Sequence, residues 1–402
     1  MRPFTSTISL EEARRRLDAA VRPIARSTRV RLEDVVGRVA SRDISSSMDV
    51  PPFSRAAMDG YAVVAADTSA AAPATPVRLR QLDRIYTGQL SAATIERGTC
   101  AEIATGAPLP AGADAVVMVE ETAKHGEHDV DIFAPAKPGQ HIGRRGADIR
   151  TGDPVIASGS LLTPSRIGAL AAIGCAEVDV FAKPRVAILS TGNEVAEPGQ
   201  ALAPGQIFDV NRFTLSAIVS AHGGVAEPHR SAQDTVDALL ASLDACLSAD
   251  LIVFSGGSSV GERDLVVDAV AARGEMIFHG IAVRPGKPTA FAMVRGIPFF
   301  GMPGNPTSCL SNAYILLVPY LRAMARLPPH TPRTVRVPLG RRIVSAANRH
   351  QFYTVRLLDG AAHPAFKGSG DITSLSEADG YLEIPADQDT VEEGTVVDVT
   401  LF

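Results

Sequence analysis

No apolar stretch in the 402-residue chain reaches 18 residues, so nothing in it reads as a membrane-spanning helix. The first residues, Met1-Arg2-Pro3-Phe4, carry no signal-peptide apolar region. A large charge excess is also lacking. Lys and Arg number 39 against 44 Asp and Glu, leaving a net charge of −5, which argues against a general nucleic-acid or membrane-surface role and makes any anion site local. Cysteine is sparse: Cys100, Cys175, Cys246 and Cys309 stand far apart in apolar or small-residue contexts, with no CxxC pair. That spacing argues against a zinc centre or a disulfide framework and for buried free thiols in a reducing compartment, so the cytoplasm is the expected location. There is no internal repeat and no low-complexity tail. The length fits two to four domains.

What the chain does have is organised around residues 250–273. Leu251 to Phe254 is a short uninterrupted apolar run after a helical pattern at Thr235, Leu239, Leu240, Leu243 and Leu247, and it reads as a buried parallel strand. Ser255-Gly256-Gly257-Ser258-Ser259-Val260-Gly261 then leads into a helix with apolar positions Leu265, Val266, Ala269 and Val270. A glycine-rich loop at a helix N-terminus exposes backbone N–H groups to an oxyanion. Glu262 and Asp264 in that loop would repel a phosphate unless a cation lay between, so an anion and a divalent metal are expected together. The competing reading makes Asp264 an N-cap and the glycines a tight turn; the loop has neither GxGxxG nor the P-loop lysine.

The same grammar occurs twice more. Val186 to Leu189 runs into Ser190-Thr191-Gly192-Asn193-Glu194, and Pro298-Phe299-Phe300 runs into Gly301-Met302-Pro303-Gly304-Asn305-Pro306 and a helix. In a doubly wound sheet such loops converge at the carboxyl edge, where ligands bind. Arg284-Pro285-Gly286-Lys287-Pro288 places two cations around a rigid turn, suited to an oxyanion. Upstream, Ser9 and Glu12 form a capping box for a helix with Leu10, Ala13, Leu17, Ala20 and Val21 on one face. Thr163-Pro164 opens another helix, which Gly174 ends. Asp59-Gly60, inside Pro51 to Val63, reads either as a hairpin turn or as a site acid. Thr105 lies at a strand end, where its hydroxyl caps a turn or faces a ligand. Residues 64–143 read as a small β domain, and residues 332–402 as a barrel-like β domain of short alternating strands.

Taken together, Pro-Pro-Phe-Ser-Arg-Ala-Ala-Met-Asp-Gly-Tyr-Ala-Val from Pro51, Thr-Gly-Ala-Pro-Leu-Pro from Thr105, Ser-Thr-Gly-Asn-Glu from Ser190, Gly-Gln-Ile-Phe-Asp-Val-Asn from Gly205, the central glycine loop, Arg-Pro-Gly-Lys-Pro and Met-Pro-Gly-Asn-Pro resemble, in this order, the molybdenum insertases of the MoeA and gephyrin E-domain family. The resemblance covers essentially the whole chain. It implies a multidomain α/β fold: an elongated linking domain (1–50 and 144–180), an inserted small β domain (51–143), a MogA-like doubly wound α/β domain (181–327) and a C-terminal β-barrel-like domain (328–402). It further implies a homodimer with composite sites, a possible MogA-type adenylyltransferase partner, and insertion of molybdate into adenylylated molybdopterin with loss of AMP, assisted by Mg²⁺. Carried over by position, the resemblance assigns catalytic roles to Asp59, Glu194, Asp264 and Lys287, the first three also as metal ligands. Substrate binding falls to Thr105, Thr191, Gly192, Asp209, Asn211, Ser255, Gly256, Gly257 and Ser259, then to Arg284, Pro288, Pro303, Gly304 and Asn305. Asp148 and Asp234 also match family acids. Three positions depart from the pattern: Arg284 replaces a lysine, Gly280 stands where a lysine can occur, and Thr354 stands where an arginine is expected, with Arg356 as a candidate substitute. A paralogue handling tungstate and a non-catalytic scaffold are the competing functions.

Overall fold

The structure, a computed structural model, describes residues 7–229, 235–256, 265–345 and 348–402. It falls into two compact units. One comprises residues up to Thr28, Gly37–Val39 and Val180–Phe402; the other comprises Arg29–Val36 and Ala40–Asp179.

The second unit holds a six-stranded sheet in the order Ala115–Met118, Gly60–Val63, Thr99–Ile103, Val77–Ile85, Asp129–Ile132, Thr122–His125. Its strand Gly60–Val63 is buried on both faces because alternate side chains enter two cores. Tyr61 and Val63 join Leu79, Cys100 and Val117, while Ala62 joins Ile85, Ile103 and Val116. Gly60 is no hairpin turn. It lies within a strand flanked by antiparallel neighbours, and a Cβ there would sit 1.9 Å from the Val117 carbonyl oxygen. Close backbone approach, not positive φ, requires glycine at this position.

The first unit is centred on a mixed sheet ordered Val225–Pro228, Arg185–Ser190, Leu251–Ser255, Ile297–Met302, Ala290–Val294, Gly274–His279. The first four strands are parallel, and Ala290–Val294 runs against both its neighbours. The continuous apolar runs follow from burial on both faces. Val186, Ile188 and Val253 pack against Leu215, Ile218 and Leu321, whereas Ala187, Leu189, Ile252 and Phe254 pack against Leu239, Leu243, Val266 and Val270. The helix Leu10–Ala20 buries Leu10, Ala13 and Leu17 in the first of these cores. Ser9 accepts the Glu12 N–H at 3.1 Å, but the Glu12 carboxylate turns to Arg15 and Arg16 instead of closing the capping box. The strands Thr334–Pro338, His350–Leu358, Gly380–Ile384 and Val396–Leu401 form a C-terminal sheet with Val283–Arg284 at its edge. That edge pairing, with Val283 opposite His350 and Arg284 opposite Gln351, ties the Arg-Pro-Gly-Lys-Pro turn to the C-terminal sheet. Among the described residues, no helix is long and apolar enough to cross a membrane.

Candidate functional site

The register puts Ser190 opposite Ser255 and Ser255 opposite Met302, so three parallel strands end level with one another. The loops that follow touch through their backbones. Thr191 N–H donates to the Ser255 carbonyl at 2.9 Å, and Gly256 N–H donates to the Met302 carbonyl at 3.3 Å. A Cβ on Gly256 would lie 2.7 Å from the Thr191 carbonyl oxygen, and one on Gly304 would reach within 3.4 Å of the Gly256 Cα. Only small residues let the loops close up like this. Above them opens a cavity of about 1230 Å³.

Most of the residues expected from sequence share its lining. Thr191, Gly192 and Glu194 come from the first loop, Ser255 and Gly256 from the second, and Pro303, Gly304 and Asn305 from the third. Asp209 and Asn211 line it from the start of the helix Asn211–Ala221, and Arg284, Lys287 and Pro288 from the proline-flanked turn. Gly257, Ser259 and Asp264, like Asp234, lie outside the described residues. Asp59 and Thr105 belong to the other compact unit. There the Asp59 carboxylate accepts the Thr105 N–H at 2.7 Å, and this bond holds its carboxyl below the usual carboxylate range. Asp148 lies in that unit too, its N–H donating to the Val50 carbonyl at 3.0 Å.

Side-chain hydrogen bonds fix the cavity floor. Asn211, 8% exposed, donates to Ser255 Oγ and to the Gly304 carbonyl, both at 2.7 Å, thereby linking two of the three loops. Asp209, 5% exposed, accepts from Ser190 Oγ at 2.7 Å, from the Arg212 N–H at 3.0 Å and from Arg212 Nε at 3.2 Å. Arg212 also pairs with Glu197. Both Asp209 oxygens are therefore engaged in positioning the loop. Thr191 Oγ1 and Asn211 Oδ1 are buried with no hydrogen-bond partner among the described residues, although both residues face the cavity. Orphaned polar atoms at a cavity wall fit a polar ligand. Cys309 Sγ lies 3.8 Å from Ser255 Oγ, and burial pushes its thiol up to about 12, which leaves it unreactive.

The cation turn is clamped from below. Asn312 donates to the Gly286 carbonyl at 2.8 Å and to Thr289 Oγ1 at 2.5 Å, and Thr289 Oγ1 donates to the same carbonyl at 2.9 Å. Gly286 has φ +100°, and a Cβ on it would meet Asn312 Nδ2 at 2.2 Å.

Sequence reasoning missed a further wall. Arg349, Phe366, Lys367 and Ser369 line the same cavity. Their loop is docked by Asn305 Nδ2 to Ser369 Oγ at 3.0 Å, the Thr307 N–H to the Ser369 carbonyl at 3.1 Å and Thr307 Oγ1 to the Asp371 carbonyl at 2.7 Å. Its available signal was Phe366-Lys367-Gly368-Ser369-Gly370, a cation in a glycine-rich loop. Thr354 is buried in the C-terminal sheet, and neither it nor Arg356 lines the cavity; Arg349 and Lys367 are the cations this region contributes.

The carboxylates on the described cavity wall are Glu194 and the engaged Asp209. Glu194 folds over Gly192, so that a Cβ there would lie 2.7 Å from either carboxylate oxygen. Among the described residues no cluster of three or more His, Cys, Asp or Glu could hold a metal. One protein carboxylate supplemented by ligand phosphates is, however, a normal donor set for Mg²⁺.

Comparison with known proteins agrees with this architecture along the whole chain. Residues 8–174 match the MoeA N-terminal region (domain I and II), residues 187–323 a probable molybdopterin binding domain, and residues 336–402 the MoeA C-terminal region (domain IV). Molybdopterin molybdenumtransferase 2 of Mycobacterium tuberculosis is 38% identical, covering 94% of this chain and 95% of its own. The chain belongs to the MoeA family. A molybdopterin molybdenumtransferase of Haemophilus influenzae is 29% identical, over 98% of each chain. A solved molybdopterin biosynthesis MoeA protein from Pyrococcus horikoshii superposes on this MoeA-family chain with a TM-score of 0.86 at 38% identity, covering 98% of this chain and 99% of its own.

Proposed function

We propose that this chain is a molybdopterin molybdenumtransferase that inserts molybdate into adenylylated molybdopterin and releases AMP. The observation that carries the reading is the convergence of three small-residue loops and the clamped cation turn on one cavity. The substrate is a phosphate-rich anion and molybdate is a dianion, and the wall answers them with Arg284, Lys287, Arg349 and Lys367. Close packing of the loops at Gly256 and Gly304 builds the floor on which phosphate oxygens would rest. Among their buried polar atoms, the Thr191 hydroxyl could donate to a phosphate oxygen and Asn211 Oδ1 could accept from a pterin N–H. Glu194, with Asp264 and Asp59, would hold Mg²⁺ together with substrate phosphates, and the ion would neutralise charge on the departing AMP.

In this reading Asp59, whose carboxylate accepts the Thr105 N–H, completes the site together with Thr105 from a second subunit of a homodimer. The reading also takes the protein to be cytoplasmic, with a MogA-type enzyme supplying the adenylylated substrate. The test is AMP release from adenylylated molybdopterin by purified protein, with and without molybdate and Mg²⁺. Release that requires both is the expected result. Absence of release, or release indifferent to molybdate, would remove the assignment.

A further inference from the structure

One wall of the cavity is apolar and projects an aromatic ring. Val195–Ala196 and Ile207–Phe208 form an isolated parallel ribbon, with Val195 opposite Ile207 and Ala196 opposite Phe208. Backbone bonds close it at both ends: Ile207 N–H donates to the Glu194 carbonyl at 2.8 Å, and Asp209 N–H donates to the Ala196 carbonyl at 2.9 Å. Phe208 thus sits one residue from the buried Asp209 carboxylate that Ser190 and Arg212 fix. Although held this firmly, Ile207 is 57% exposed and Phe208 41% exposed, and both face the cavity. Arg212 spends its guanidinium face on Phe213, 4.8 Å from the ring centroid. The cavity's other aromatic in the described residues, Phe366, rests 5.3 Å from the Tyr353 ring. The Phe208 ring has no aromatic or cationic neighbour among the described residues.

A positioned, exposed ring on a wall whose other elements supply Arg284, Lys287, Arg349 and Lys367 suits a ligand that is flat and apolar at one end and anionic at the other. We propose that Phe208, flanked by Ile207, is the platform on which a fused heteroaromatic ring of the substrate stacks, and that this stacking directs its phosphates to the cations. The inference rests on the insertase reading and deepens it. Pterin and adenine share the required chemistry, and binding experiments tell them apart.

Titration calorimetry of AMP and, separately, of molybdopterin against wild type, Phe208→Ala, Phe208→Leu and Phe208→Tyr tests it. Loss of stacking should weaken one of the two ligands about tenfold in Phe208→Ala, with Phe208→Tyr close to wild type. Weakened AMP identifies the adenine, and weakened molybdopterin identifies the pterin. Phe208→Leu should fall with Ala, because it keeps apolar volume without a π face. Phe208→Ala binding both ligands within about twofold of wild type, or Phe208→Leu matching wild type, overturns the platform. A wild-type protein that binds neither ligand removes the insertase reading itself. Unfolding midpoints of the variants should stay at the wild-type value, because the ring is exposed, and they separate lost stacking from lost fold.

Discussion

Replacing Gly286 by alanine should disable the cation turn, and the size of the effect follows from two separate penalties. A residue with a side chain held at φ +100° costs about 1–3 kcal/mol. The new Cβ would also lie 2.2 Å from Asn312 Nδ2, forcing that amide away from the Gly286 carbonyl and Thr289 Oγ1. Two buried hydrogen bonds are worth about 1 kcal/mol each, and more where a partner is left unpaired. The sum is about 3–5 kcal/mol, a large share of the ~5–15 kcal/mol that keeps a domain folded. Urea unfolding of wild type, Gly286→Ala, Asn312→Ala and the double variant measures it. Asn312→Ala alone should cost about 2 kcal/mol. The double variant should fall short of additivity by about 2 kcal/mol, because the two Asn312 hydrogen bonds are lost only once while the φ strain stays. If Gly286→Ala costs under about 1 kcal/mol, or the two changes add, then Asn312 does not set the turn.

Two further outcomes follow from other parts of the molecule. In the proposed homodimer with composite sites, Asp59→Asn and Asp264→Asn should each abolish turnover, and co-expressed they should recover about a quarter of wild-type activity, since half of randomly paired dimers would be mixed, each with one intact site. No recovery in verified heterodimers would place both halves of the site within one chain. His222, which follows the helix Asn211–Ala221, packs edge-on against His330 at 5.1 Å; burial, then the charges of His330 and Arg322, pulls its pKa down from 6.5 to about 4. The folded state therefore binds this proton less readily than the unfolded chain. Its contribution to stability is complete above about pH 6.5 and is lost as the pH falls toward about 4. Thermal midpoints of His222→Gln should decline less steeply than those of wild type across that window, and parallel curves would rule out His222 as the source.

Much of this architecture was legible in the sequence because the strands Arg185–Ser190, Leu251–Ser255 and Ile297–Met302 are buried on both faces and so read as unbroken apolar runs. The loops after them were legible because close backbone contact restricts them to small residues. What stayed hidden depends on tertiary contact. Asn312 is an ordinary helix polar residue until the fold sets it beneath Gly286, and Arg349 and Lys367 reach the cavity through the pairing of Val283–Arg284 with the C-terminal sheet and the docking of the Ser369 loop on Asn305 and Thr307. Asp59-Gly60 misled for a related reason: cross-strand contact with Val117 and a turn select the same small residue. Asp209, read from the sequence as a substrate-binding residue, lines the cavity, and its bonds to Ser190 and Arg212 are visible only in the fold.

The central claim, that this cavity is where molybdate meets its pterin substrate, is tested most directly by AMP release from adenylylated molybdopterin as a function of molybdate concentration, in wild type and Lys287→Ala. Lys287 is half-buried on the cavity wall, in the turn that Asn312 clamps. Loss of one charge-assisted hydrogen bond, about 1.5–3 kcal/mol, corresponds to a tenfold to hundredfold rise in half-saturating molybdate. The account predicts that rise with half-saturation by adenylylated molybdopterin held within about threefold of wild type. An unchanged molybdate dependence, or an equal loss for both substrates, would contradict it.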